Sequence, residues 1–187
     1  MNENIFSQEV IAFFNKKLHQ TAWHKQIVVR EKVKILKDFT VGRDRNGRWR
    51  LITGFQQQDI VFSCPSFDFN KTDFLSKVMR IDKYNAQKVT IPIAICELKV
   101  GSSVNTHAMI TYGSIAAHIK QIFPHCAYYF VVDSAQQRRF NPETILRHAK
   151  SFDRIFPDWE KEKEKIWQAL GDHFSYLTEL GVLSNKI

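Results

Sequence analysis

Three observations predict an α/β domain with a central mixed β-sheet flanked by helices. The run Ile91-Pro92-Ile93-Ala94-Ile95-Cys96 is apolar enough for a strand buried on both faces. An amphipathic helix follows from Asn105 to Phe123, and a second, almost uninterrupted apolar strand follows it from Ala127 to Val132. A strand, a helix and a strand in that order form a right-handed parallel crossover, with helices over both faces of the sheet. The 187 residues suit one domain spanning 1–187, and 44% hydrophobic residues are enough for a substantial core.

The elements follow in order along the chain. Ile5, Val10, Phe13, Phe14, Leu18 and Ala22 recur at helical spacing and predict a first helix ending near Trp23. Residues 27–37 fit a helix or a strand equally well. Asp44-Arg45-Asn46-Gly47 is a strong turn signal, with hairpin arms from Phe39 to Arg43 and from Arg48 to Thr53. Asp59 to Cys64 is the next strand, ended by Pro65. Residues 65–88 read as an insertion with a short helix from about Lys71 to Ile81. Gly101-Ser102-Ser103 breaks the chain before the crossover helix, whose apolar stripe is Ala108, Tyr112, Ile115, Ile119 and Ile122. His107, Thr111, Ser114, His118 and Gln121 fall on its polar face, and Pro124 closes it. Asn141-Pro142-Glu143 is a well-formed helix start. Pro157-Asp158 punctuates again, and a last helix runs from about Trp159 to Leu180 with Glu160 to Lys165 as a solvated face. The expected organisation is a core at 1–133 with the insertion at about 65–88, and a C-terminal helical part at 141–187.

Lys and Arg number 27 against 19 Asp and Glu, a formal charge of +8. That excess fits a polyanionic partner such as nucleic acid, and charge alone fits a basic protein without one equally well. The first residues lack a basic region followed by an apolar run, and no apolar stretch approaches the roughly 20 residues a bilayer span needs. The expectation is a cytoplasmic protein with no membrane partner. Cys64, Cys96 and Cys126 are odd in number and widely spaced, which makes neither a disulfide framework nor a zinc pattern. Buried free thiols account for them. His125-Cys126 lacks further ligands at useful spacing.

The charged end of the apolar strand, Glu97-Leu98-Lys99, is where chemistry concentrates. Side chains two apart share a face of a strand, so Glu97 and Lys99 lie with Ile93 and Ile95, while Ala94, Cys96 and Leu98 line the other. Buried charges require partners or a metal. Asp59 opens a second apolar strand, and if the two strands are neighbours, Asp59 and Glu97 converge on one divalent ion. Magnesium suits two carboxylates plus water and a phosphate oxygen. Lys99 could then orient or help deprotonate a water, or stabilise charge on the reacting phosphate. A solvated Glu97–Lys99 pair on an edge strand is the structural alternative.

Asp59-Ile60-Val61, then Ile95-Cys96-Glu97-Leu98-Lys99, then a helix and a buried strand, resembles the PD-(D/E)xK nuclease superfamily of restriction endonucleases and repair nucleases. The resemblance spans roughly residues 1–133. It implies a restriction endonuclease-like fold in which Asp59 and Glu97 bind Mg2+ and Lys99 is the catalytic lysine. The main-chain carbonyl of Leu98 would be a further metal ligand, and Glu9 the acid that some members supply from the first helix. Gln58 stands where the motif's proline would be, and the helix after the strand lacks the Gln and Tyr pattern of the exonuclease-like branch. The function implied is a magnesium-dependent endodeoxyribonuclease of restriction type, acting on DNA as a homodimer. The alternatives are a non-catalytic nucleic-acid-binding or assembly module on the same sheet, and a repair or junction-resolving nuclease.

Other candidates carry two readings each. Arg43, Arg45, Arg48 and Arg50 ring the hairpin turn and could grip phosphates, or simply be solvated; Arg138 and Arg139 after the last apolar strand are alike. His107 and His118 read best as solvent-facing, Asp68, Asp73 and Asp82 as surface acids, and Tyr128-Tyr129-Phe130 as core.

Overall fold

The computed structural model describes residues 2–43, 45–47, 49–64, 90–101, 104–133, 143 and 147–184, with the main chain only at 49–51. The predicted insertion at 65–88, Arg48, Arg138, Arg139 and the helix start at Asn141-Pro142 lie outside the described residues.

Helix α1 (Glu3–His19) begins where the Asn2 side chain accepts from the Asn4 amide. The helix ends sooner than its spacing predicts, because Thr21 Oγ1 donates to the Leu18 carbonyl and a 3-10 turn (Ala22–Lys25) takes over. Its buried stripe is Phe6, Val10, Phe14 and Leu18, whereas Ile5 is exposed. Strand β1 (Val28–Arg43) resolves the ambiguity of residues 27–37 and absorbs the first hairpin arm. Strand β2 (Trp49–Ser63) likewise unites the second arm with the strand containing Asp59. The turn between them passes through Gly47 at φ 73°, a left-handed backbone that suits glycine.

Strand β3 (Pro92–Val100) is buried along its whole length but for Val100. Helix α2 (Thr106–Ile122) is capped by Asn105, whose side chain accepts from the Ala108 amide. Its polar face is exposed as the periodicity predicts, and its buried face turns toward Met109, Gly113, Ile115, Ala116 and Ile119. Strand β4 (Ala127–Asp133) is wholly buried. A three-residue strand β5 (Arg154–Phe156), too short to show periodicity, precedes helix α3 (Trp159–Glu179), which Asp158 caps. Among the described residues, no helix is long and apolar enough to cross a membrane.

The sheet has the order β1-β2-β3-β4-β5. The β1–β2 and β2–β3 pairs are antiparallel, and β3–β4 and β4–β5 are parallel, so the sheet is mixed and the β3–α2–β4 crossover is parallel. One face packs against α1 and α3 through Phe14, Phe62, Leu98, Trp159 and Phe174. The other packs against α2 through Ile35, Val61, Ile95, Tyr128 and Phe130. The chain therefore folds as an α/β protein with a central mixed sheet flanked by helices.

Two irregularities shape the site. Lys32 adopts φ 53°, and around it β1 changes face: Val29 packs with the α1–α3 core, but Val33 and Ile35 pack with α2. Lys32 lies between the Glu31–Ile60 and Val33–Gln58 pairs, opposite Asp59. The second irregularity is a register shift between Phe62 and Ser63 against β3. It turns Ile93 to the α1–α3 face, away from Ile95, so only Ile95 shares the face of Glu97 and Lys99.

Candidate active site

Register brings the acids together. The β2–β3 ladder runs through Phe62–Ala94, Val61–Ile95 and Ile60–Cys96, and Asp59 and Glu97 are the residues just beyond its last pair. There the Asp59 side chain meets the partner strand directly, with Oδ2 accepting from the Leu98 amide at 2.9 Å. This bond orients the Asp59 carboxylate across the face where Glu97 and Lys99 project.

Lys99 is the hub of the cluster. Its Nζ lies 3.0 Å from Glu97 Oε1, 3.7 Å from Asp59 Oδ2 and 3.4 Å from Glu3 Oε1. The Tyr112 ring, carried by α2, covers the same ammonium at 4.3 Å from ring centroid to Nζ. Glu97 is 2% exposed and Lys99 6%, so the pair is not the solvated edge pair of the structural alternative.

Two acids share one base at a site where Glu97 and Lys99 are buried and Asp59 is half-buried, which leaves an imbalance. Burial, followed by the Asp59 carboxylate, pushes the Glu97 carboxyl up to about 8 against the downward pull of Lys99. Burial acts to lower Lys99, but the Glu97 and Asp59 carboxylates outweigh it and hold the ammonium above its ordinary range. Glu97 Oε2 is buried without a hydrogen-bond partner. An orphaned carboxylate oxygen beside a second carboxylate is where a hard cation would be accepted. Among the described residues no three His, Cys, Asp or Glu side chains are grouped to hold a metal by themselves. An ion at Asp59 and Glu97 would draw its remaining ligands from main chain, water or substrate, as Mg2+ commonly does.

Gln58, at the position of the motif's proline, is fully buried and accepts a hydrogen bond from the Tyr128 hydroxyl. Burial, then the Glu97 and Asp59 charges, raise that phenol well above its usual range, so it stays a neutral donor. Tyr128 and Phe130 pack with α2 and Tyr129 with the α1–α3 core, so the aromatic run of β4 is core.

Glu9 lies elsewhere, because Trp159 Nε1 donates to its Oε1 at 2.8 Å. The acid that α1 does bring to Lys99 is Glu3, which sequence reasoning missed. A signal existed: Glu3 continues the Phe6, Val10, Phe14 stripe one turn toward the N-terminus. Arg43 and Arg45 are exposed at the far end of the hairpin. The ten residue steps from Asp59 back to Trp49 correspond to about 33 Å along the strand. His107 and His118 are exposed on α2. Cys96 and Cys126 are buried free thiols, held well above the usual thiol range by burial, and Cys64 is half-buried.

Among solved structures, the chain is similar to one described as the native BbvCI A2B2 tetramer at low resolution. The identity is 13% and the TM-score 0.43, over 68% of this chain and 44% of that one. The chain thus spans less than half the length of that neighbour. No family model matches the chain, and no curated protein does.

Proposed function

We propose that the chain hydrolyses DNA phosphodiester bonds as a Mg2+-dependent endonuclease of restriction type, with Asp59 and Glu97 holding the metal. The observation that carries this reading is the buried Glu97 carboxylate, with Oε2 unpartnered, set with Asp59 beside Lys99. Bound there, the ion would supply Lewis-acid polarisation of the phosphate and an activated water.

The chain's own groups have distinct tasks. Asp59 is held by the Leu98 amide and Glu97 by the Lys99 ammonium, so both side chains are already in place, and Glu97, whose carboxyl is pushed up to about 8, would give up its proton on receiving a cation. The Leu98 main-chain carbonyl, on the same strand step, is a further candidate ligand. Lys99 stays protonated, which favours charge stabilisation and water orientation over the role of general base. A dimer that cuts both strands belongs to the same reading.

A non-catalytic nucleic-acid-binding module is the second reading, because Glu3, Glu97 and Asp59 already surround the ammonium as an ion cluster. Plasmid DNA incubated with the protein in Mg2+ and in EDTA separates the two. Cleavage is expected only with Mg2+, and Asp59→Ala or Lys99→Ala should lower it by at least about 100-fold, the scale of losing one electrostatic group. Unchanged cleavage in those variants would sink the site assignment, and DNA binding without any cleavage would favour the module.

A further inference from the structure

The β1–β2 hairpin runs past the packed part of the sheet. Up to Ile35 it lies against α2, and the pairing shifts register between Leu36 and Asp38. Outward from that bulge, Phe39 is 55% exposed, Val41 62% and Ile52 51%. Phe39 and Val41 share one face of the ribbon, and Ile52, paired with Thr40, is on the other. Both faces therefore show apolar side chains to solvent. A lone two-stranded ribbon is marginal in water, and clustered exposed apolar groups mark a contact surface.

Charge decides between occupants. Residues 38–54 hold four arginines, Arg43, Arg45, Arg48 and Arg50, against Asp38 and Asp44. A second copy docked arm to arm would bring two strongly basic segments together, which disfavours it. A polyanion complements them. The B-DNA major groove, about 12 Å wide, admits a two-stranded ribbon and offers thymine methyls to apolar side chains. The deep, narrow major groove of duplex RNA does not.

We propose that residues 38–54 form a ribbon that enters the major groove of duplex DNA. Arg43 and Arg45 meet phosphates or guanine edges at its tip, and Phe39 and Val41 contact base edges along one face. The choice of DNA as the polyanion rests on the nuclease reading above; the shape and charge of the arm do not. About six residues per strand give the arm a reach of roughly 20 Å, enough to span the groove.

The test is binding of a short labelled DNA duplex in EDTA, where no cleavage occurs, as a function of salt. Arg45→Ala should lower the slope of log K against log salt by about 1. The double variant Phe39→Ser/Val41→Ser should weaken binding at least about fivefold, consistent with losing apolar base contacts. Ile110→Ser, an equally exposed apolar position on α2, should bind as wild type. Arg45 sits in an exposed turn, so its variant reads the proposal even if the double variant fails to fold. Wild-type affinity and salt slope in both arm variants overturns the arm while leaving the catalytic reading intact. Equal affinity for duplex RNA also overturns it, as does a dimer that the double variant dissociates without weakening DNA binding. Absence of Mg2+-dependent cleavage in the wild type, with arm-dependent binding retained, would remove the nuclease reading alone.

Discussion

At the scale of single residues, Glu97 is a carboxyl under electrostatic tension. Its folded carboxyl is raised from 4.5 to about 8. An acid whose proton is held more tightly in the folded state than in the unfolded chain stabilises the fold fully at low pH. It loses that stability as pH rises from the unfolded value through the folded one. Metal-free protein should therefore lose stability between about pH 4.5 and pH 8, by at most about 1.4 kcal/mol per pH unit for one proton. Urea unfolding in EDTA at pH 5 and pH 8 measures it, and Glu97→Gln should flatten the dependence. A wild type equally stable at both pH values would contradict the assignment. The acids themselves were legible because Glu97 and Lys99 interrupt an apolar run and Asp59 opens another. Which α1 acid approaches them was not. Periodicity fixes the buried face of a helix but not where its ends fall on the sheet, so Glu3 and Glu9 could be told apart only through Trp159 and Lys99.

At the scale of elements, α2 contributes more than a cover. Its Asn105 cap and its Met109, Gly113, Ala116 face fix its rotation on the sheet, and that rotation lays the Tyr112 ring over the Lys99 ammonium. A cation held over a ring gains about 0.5–2 kcal/mol depending on burial. On the endonuclease reading proposed above, Tyr112→Leu should accordingly lower kcat for Mg2+-dependent cleavage by roughly 2- to 30-fold, with KM little changed. Tyr112→Phe, which keeps the ring, should retain most of the activity. Equal losses in both variants would assign the effect to the hydroxyl instead. The crossover itself was legible, since β3 and β4 are apolar on both faces and α2 has helical periodicity. Strand β1 was not, because the face change at Lys32 destroys the alternation that identifies a strand, leaving Val29 and Ile35 on opposite sides. Strand β5 offers three residues and no period, so only its pairing with β4 reveals it.

At the scale of the whole molecule, the two faces of the sheet divide stability from chemistry. The α1–α3 face is an aromatic layer: Phe14 stands 5.1 Å from Phe62 and 5.7 Å from Trp159, ring to ring, and Trp167 and Phe174 extend the stack. The α2 face carries Asp59, Glu97 and Lys99 near the carboxyl end of the parallel β3–β4 pair, the end at which open α/β sheets generally bind ligands. Truncating the centre of the aromatic layer with Phe14→Ala should cost about 3–5 kcal/mol of unfolding free energy. The remaining folded fraction should keep the wild-type response to pH, because Phe14 packs in the α1–α3 core and Glu97 and Lys99 face the α2 core. Urea denaturation at pH 5 and pH 8, and at pH 8 with Mg2+, checks both halves. On the metal-site reading proposed above, the expected result is a lowered midpoint with an unchanged Mg2+-induced increment in stability. A Phe14→Ala protein that folds well but has lost that increment would mean the two faces are coupled through the sheet, and that Asp59 and Glu97 are held in place by the aromatic layer as well as by the Leu98 amide and Lys99.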